Sequence, residues 1–188
     1  MTFSASVEIL AEAEKVFALI SDLRVKARLN PNIQVIRVEL EGGEPVREGS
    51  AFRHRFAKAG QIIEYRSRCV RCDPPRLFVS RGETDPPFEV RVTVAPTLEG
   101  CRLTQEEAIE AGPELLAALD SGLARSFRDI LRLLALVPSV RQLGCELRAL
   151  QRERVTRRLR GELEVWLDAI RAHVEGGVGQ PLDQGESA

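Results

Sequence analysis

Residues 139–175 read SVRQLGCELRALQRERVTRRLRGELEVWLDAIRAHVE. Large apolar residues recur there at three- and four-residue spacing: Leu143, Leu147, Leu150, Leu159, Leu163, Trp166, Ile170 and Val174. That is the period of one helix face, and a stripe of this kind has to be buried against something. Pro138 cannot continue a preceding helix cleanly, and Pro138-Ser139 can start a new one. At 1.5 Å per residue an unbroken helix over 139–175 would be ~55 Å long. A small sheet is narrower than that, so one end is expected to project or bend, near Gly144 or Gly161.

The stretch just before it carries helix signal too. Leu115, Leu119, Leu123, Phe127, Ile130 and Leu134 keep the same spacing, and Leu116, Leu131, Leu133, Leu136 and Val137 widen the apolar surface beyond one stripe. Residues 113–137 therefore read as an extra apolar helix. It would pack into an enlarged core, form a homodimer interface, or act as a lid in peripheral contact with a membrane. Asp120, Arg125, Arg128, Asp129 and Arg132 interrupt it, and no apolar run reaches the ~20 residues of a membrane span.

Upstream the period changes. Phe3, Ala5 and Val7 alternate with polar neighbours, the pattern of a half-buried strand. Residues 11–23 place Val16, Phe17, Ile20 and Leu23 on one helical face, and a second short helix over 25–29 stops at Asn30-Pro31. Six strands follow at 34–40, 50–56, 62–71, 77–82, 88–95 and 101–108, separated by short turns rich in Gly, Pro and Asp. Such connections join antiparallel neighbours. Phe52, His54 and Phe56 share one face, as do Ile63, Tyr65, Ser67 and Cys69, and also Phe88, Val90, Val92 and Val94. Arg53, Arg55, Arg66, Arg68, Glu89 and Arg91 lie opposite. A sheet with one apolar and one wet face follows. The tail 176–188 lacks apolar periodicity and reads as disordered.

The 188 residues suit one domain over 1–175. Hydrophobic residues make up 44% and charged residues 29%, the composition of an ordinary folded chain in water. A net charge of −1 argues against bulk electrostatic binding of nucleic acid. Residues 1–4 lack the features of a signal peptide, so a cytoplasmic location with Cys69, Cys72, Cys101 and Cys145 reduced is expected.

Several short pieces together resemble a known family. They are Ala13–Asp22 (AEKVFALISD) with Asn30-Pro31 soon after, Glu48–Phe52 (EGSAF), Cys69–Leu77 (CVRCDPPRL) and Glu99–Thr104 (EGCRLT). Their order and spacing are similar to the polyketide cyclase/dehydrase and lipid-transport family of the START-like (SRPBCC) superfamily. The match spans roughly residues 2–108, with a weaker echo at 159–174. The resemblance implies an α+β helix-grip (Bet v 1-like) fold, in which a curved antiparallel sheet of six to seven strands wraps around a long C-terminal helix. It also implies a cavity between the two that holds lipids, isoprenoids, polyketides or other hydrophobic ligands. No catalytic motif comes with it, and the extra 113–137 segment departs from the usual plan.

On that plan Phe52, His54, Phe56, Tyr65, Phe88 and Val90 are the expected cavity-lining residues. His54 and Tyr65 would bind a ligand carbonyl or hydroxyl, or act as an acid–base pair; alternatively they are a buried pair satisfied within the fold. Cys69 and Cys72 have the CxxC spacing of metal and redox sites. Within a strand, residues three apart point to opposite faces, so the two sulfurs should diverge unless a bulge intervenes. The arginines of the outer face read as cross-strand ion pairs rather than a basic docking stripe. The expectation is binding or transport of a hydrophobic small molecule without cofactor, metal or catalytic residue. A cyclase or dehydratase on the same scaffold is the alternative, and an interaction module using 115–137 is a third.

Overall fold

The computed structural model describes residues 1–58, 60–110 and 140–176, with side chains throughout except at 140–148. The elements run β1 (Thr2–Ile9), α1 (Ala13–Ser21), α2 (Leu23–Arg28), β2 (Gln34–Glu41), β3 (Ala51–Lys58), β4 (Gln61–Asp73), β5 (Leu77–Gly82), β6 (Phe88–Pro96), β7 (Cys101–Ile109) and α3 (Val140–Gly176). The expected extra helix at 113–137 and the tail beyond Gly176 lie outside the described residues.

The strands form one seven-stranded antiparallel sheet in the order β1-β7-β6-β5-β4-β3-β2. β2 to β7 are a plain meander, as their short turns require. β1 closes the row against β7, with Phe3 opposite Glu107 and Ile9 opposite Cys101. The chain crosses from β1 at one edge to β2 at the other through α1 and α2. The result is an α+β helix-grip architecture.

Alternation sets the faces. Phe3, Ala5, Val7 and Ile9 of β1 are buried, and their cross-strand partners Leu103 and Cys101 are buried beside them. Val92 and Val94 of β6, Phe78 of β5, Cys69 of β4 and Phe52 of β3 continue the same core. From above, α1 adds Val16, Phe17 and Ile20, and α3 adds Leu163, Leu167, Ile170 and Val174. Each such side chain contributes roughly 1.5–3 kcal/mol when fully buried.

The gripping stripe of α3 differs in part from the one drawn on the sequence. Val155 and Leu167 are buried, whereas Leu150 is 59% exposed. Among the described side chains of α3, the buried ones fall between Val155 and Val174. α3 is continuous through Gly144 and Gly161 over its 37 residues. A Cβ on Gly161 would meet nothing within 4 Å. Gly161→Ala is therefore expected to stabilise the fold by about 1 kcal/mol, raising Tm by about 2–4 °C in a thermal scan.

Candidate functional site

The inner face of the sheet is not uniformly apolar. Along β7 its inward residues run Cys101, Leu103, Gln105, Glu107 and Ile109, so two polar residues, Gln105 and Glu107, interrupt the apolar series toward the second end of the strand. The apolar end lies under Ile170 and Val174 of α3, where Leu10 N–H donates to the Glu175 carboxylate at 2.9 Å. The polar end lies toward Glu162, whose carboxylate accepts from Lys58 Nζ at 2.5 Å.

Three of the six expected lining residues, Phe56, Tyr65 and Phe88, form an aromatic wall there, and a fourth, His54, backs it. His54 faces Tyr65 across the β3–β4 pair, and their rings stack with centroids 4.4 Å apart and planes 10° from parallel. Phe56 and Phe88 both meet Tyr65 edge-on, at 6.0 and 5.3 Å. Phe88 can reach Tyr65 because Gly82, directly opposite Phe88 on β5, has no side chain. A Cβ there would lie 2.1 Å from the Phe88 ring. Phe52 is fully buried behind His54, with centroids 6.3 Å apart, and is part of the core cluster. Val90 packs partly buried against that cluster and stands opposite Glu107.

His54 is held inside the fold. Its Nε2 lies 2.8 Å from Ser67 Oγ, and burial lowers its pKa to about 4. Burial moves the Tyr65 phenol the other way, upward, with Glu107 adding to the shift. Burial thus favours the neutral form of both groups, and the stacked rings order the wall.

The more telling polar groups were missed on the sequence. Glu107 keeps some surface accessible, yet burial raises its carboxyl pKa, opposed by a hydrogen bond from Gln105 and by the charges of Lys26 and Lys58. Gln105 is fully buried and donates from Nε2 to Glu107 Oε1 at 2.6 Å, while its own Oε1 has no partner. Lys26 is only 2% exposed, and its ammonium lies 4.9 Å from the centroid of the Trp166 ring. It forms no hydrogen bond or ion pair through its side chain among the described residues. Burial lowers its pKa to about 8, with Glu107 acting the other way. Trp166 Nε1 donates to the Lys26 carbonyl at 3.2 Å, and Asn32 Nδ2 donates to the Glu162 carbonyl at 2.8 Å. These two bonds pin α2 and its following loop onto α3. The Tyr65 hydroxyl also makes no hydrogen bond among the described residues.

The signal for these residues was present but unused. Lys26 follows Leu23 by three residues on the buried face of a helix. Gln105 and Glu107 continue the inward phase set by Leu103. A polar residue in an apolar phase marks such a site.

A cleft of about 620 Å³ opens at this end of the sheet, bordered by Met1, Thr2, Pro87, Phe88, Ile109 and Glu110 among others. A hollow of about 180 Å³ on the outer face is lined mainly by Arg37, Glu39, Arg53, Arg55 and Glu64. Its walls are ion-paired to one another, Arg55 to Glu64 at 3.0 Å. The rest of the outer face continues this way. Glu41 bridges Arg53 and Arg66 at 3.1 and 2.8 Å, and Glu83 bridges Arg66 and Arg68 at 2.7 and 3.0 Å. The arginine stripe is thus neutralised by its neighbours, in pairs open to solvent and screened by it.

The two cysteines of the CxxC stretch do not diverge. The β4–β5 register shifts between Cys69 and Arg71, opposite Ser80 and Val79, so Val70 is the extra residue of a bulge. The Cys69 thiol donates to the Arg71 carbonyl at 3.5 Å, and the two thiols influence each other's titration. Both are free, and burial raises both pKa values, that of Cys69 to about 12. Burial thus favours the protonated thiol over the reactive thiolate in both. Among the described residues no cluster of three or more His, Cys, Asp or Glu could hold a metal. None of the described helices is long and apolar enough to cross a membrane.

A family model described as polyketide cyclase / dehydrase and lipid transport matches residues 1–137. The chain belongs to that family. The match covers β1 to β7 and stops before α3. Among solved structures, the di-domain ARO/CYC StfQ of the steffimycin biosynthetic pathway aligns with a TM-score of 0.63 at 17% identity, over 95% of this chain and 52% of that one. The di-domain ARO/CYC BexL of the BE-7585A pathway aligns with a TM-score of 0.63 at 20% identity, over 96% and 51%. This chain thus spans about half the length of those two proteins. The polyketide_cyc-like protein Cgl2372 of Corynebacterium glutamicum aligns nearly end to end, over 99% and 97%, with a TM-score of 0.56 at 19% identity. At these identities the likeness is one of fold. No curated protein matches.

Proposed function

We propose that this family member binds a hydrophobic small molecule between the inner face of the sheet and α3. The ligand would be of lipid, isoprenoid or polyketide-like size and would lie against Phe56, Tyr65, Phe88 and Val90. One observation carries the reading. The inner face at the polar end holds an aromatic wall beside three buried or half-buried polar groups without a hydrogen-bond partner among the described residues: Gln105 Oε1, the Lys26 ammonium and the Tyr65 hydroxyl. A protein interior normally satisfies such groups, so a cluster of unsatisfied ones is what a recognition surface looks like. The family's description, which includes lipid transport, supports the same class. Phe52 and His54 act as the support behind the wall rather than as its surface. The cytoplasm suits such a carrier, since Cys69, Cys72 and Cys101 are free thiols.

The test uses 1-aminoanthracene, an uncharged aromatic amine whose fluorescence rises in apolar surroundings. Saturable binding to one site per chain is expected. Val90→Trp puts a large ring in front of Tyr65 and should weaken binding by about tenfold or more while Tm changes by only a few degrees. Absence of saturable binding would overturn the reading. So would a collapse of Tm in Val90→Trp, because it would mean the interior is already packed.

A further inference from the structure

We propose that the site takes an amphipathic ligand with an acidic head group, a carboxylate or an acidic enol, held by the Lys26 ammonium beside a hydrogen-bond donor that satisfies Gln105. The inference rests on the binding role above and narrows its ligand class.

Lys26 is the anchor. It is the one lysine of three in the chain that is fully buried, Lys58 being half-buried and Lys15 exposed. A buried ammonium ordinarily has a carboxylate within hydrogen-bonding distance, because removing it from water alone is costly. Lys58 has such a partner in Glu162. Among the described residues Lys26 has only the face of Trp166, 4.9 Å from its ammonium, and the more distant field of Glu107. A ring face stabilises a cation without using its three N–H donors. Those donors remain free for a ligand oxygen.

Glu107 does not fill the role. Its nearer partner is Gln105, and burial disfavours its ionised form. The Gln105 amide is thus half-used: Nε2 is spent on Glu107, and Oε1, an acceptor in a fully buried side chain, awaits a donor. A hydroxyl on the ligand would satisfy it. The Tyr65 phenol, on the wall facing Glu107, can donate or accept. The remainder of the wall is aromatic, so a ring or chain would lie beyond the head group.

The test compares 2-naphthoate with its uncharged isostere 2-naphthamide by calorimetry at pH 7 on the full chain. The wild type should bind the acid about tenfold more tightly than the amide or better. Lys26→Met, which removes the charge and keeps an unbranched apolar stem, should abolish that preference by weakening the acid alone. The amide affinity should stay within about twofold. A pH series on the wild type keeps the proposal testable should Lys26→Met fail to fold. Naphthoate stays ionised from pH 7 to 10, whereas Lys26 loses its proton, so the acid-to-amide ratio should fall across that range. Glu107 from β7, Tyr65 from β4, Lys58 from β3 and Glu162 from α3 are the other titratable groups at this end. Ionisation of Glu107 would also weaken an anion and spare an amide, so the series is repeated on Glu107→Gln, in which the fall should persist. Equal affinities in the wild type would overturn the proposal. So would a Lys26→Met variant that keeps the preference, one that weakens both compounds alike, or a ratio that does not fall with pH. If 1-aminoanthracene binds and these results are negative, the head-group assignment fails alone. If 1-aminoanthracene does not bind either, the binding role fails with it.

Discussion

Phe52→Ala is expected to destabilise the protein by about 3–5 kcal/mol, measured as a shift of the urea midpoint. Phe52 has no exposed surface and stands on β3 between Leu40 of β2 and Ser67 of β4. Both neighbours project to the same inner face, and the ring also backs His54. Truncation leaves a hole that the sheet backbone cannot close, so the lost transfer energy and the cavity add together. The result also separates two roles. A residue that forms the surface of a ligand site tolerates truncation cheaply, because it already borders open space. A loss below about 1 kcal/mol would move Phe52 from the core to the site surface.

The second large effect is a loss of stability on acidification, traceable to His54. Its pKa falls from 6.5 in the unfolded chain to about 4 in the fold, because the ring is buried. Between those values the unfolded state binds a proton that the folded state refuses, so stability falls as pH falls. The contribution amounts to about 2–3 kcal/mol between pH 7 and pH 4.5. Glu107 works in the opposite direction in this range. Its raised carboxyl pKa makes the folded state hold a proton that the unfolded state releases, so its contribution declines as pH rises above 4.5. Comparison with His54→Gln isolates the histidine. Urea titrations at both pH values should show the wild type losing about 2–3 kcal/mol more than the variant. Equal losses would mean that His54 is accessible to water.

Much of the fold could be read from the sequence because its signals are local. Period-two alternation ordered every strand, and the short Gly-, Pro- and Asp-rich turns left a meander as the only economical topology. β5 falls at residues 77–82 as expected, and the other strands differ from expectation by one or two residues at their ends. The arginines of the outer face paired as their interleaved glutamates implied. What could not be read depended on distance in space. Leu150 keeps helical phase with Leu163 yet is largely exposed. The bulge at Val70 turns Cys72 to the side of Cys69, and a bulge leaves no trace in alternation until the partner strand is known.

The site was legible in half. Aromatic residues in inward phase identified the wall, because large apolar side chains are easy to place. The polar members were overlooked for the opposite reason, since Lys26 and Glu107 look like ordinary surface residues until the phase of their elements is applied to them. Lys26 of α2, Glu107 of β7 and Trp166 of α3 lie more than fifty residues from one another in the chain. No spacing rule joins such residues. Only the closure of the helix over the sheet brings them together.

The central claim is that a hydrophobic molecule lies between the sheet and α3, and intermolecular nuclear Overhauser effects test it most directly. With the protein saturated by 1-aminoanthracene, the account predicts contacts from the probe's ring protons to the side chains of Tyr65, Phe88 and Trp166. Contacts confined to outward apolar residues such as Ile36, Ile62 and Leu98 would contradict it.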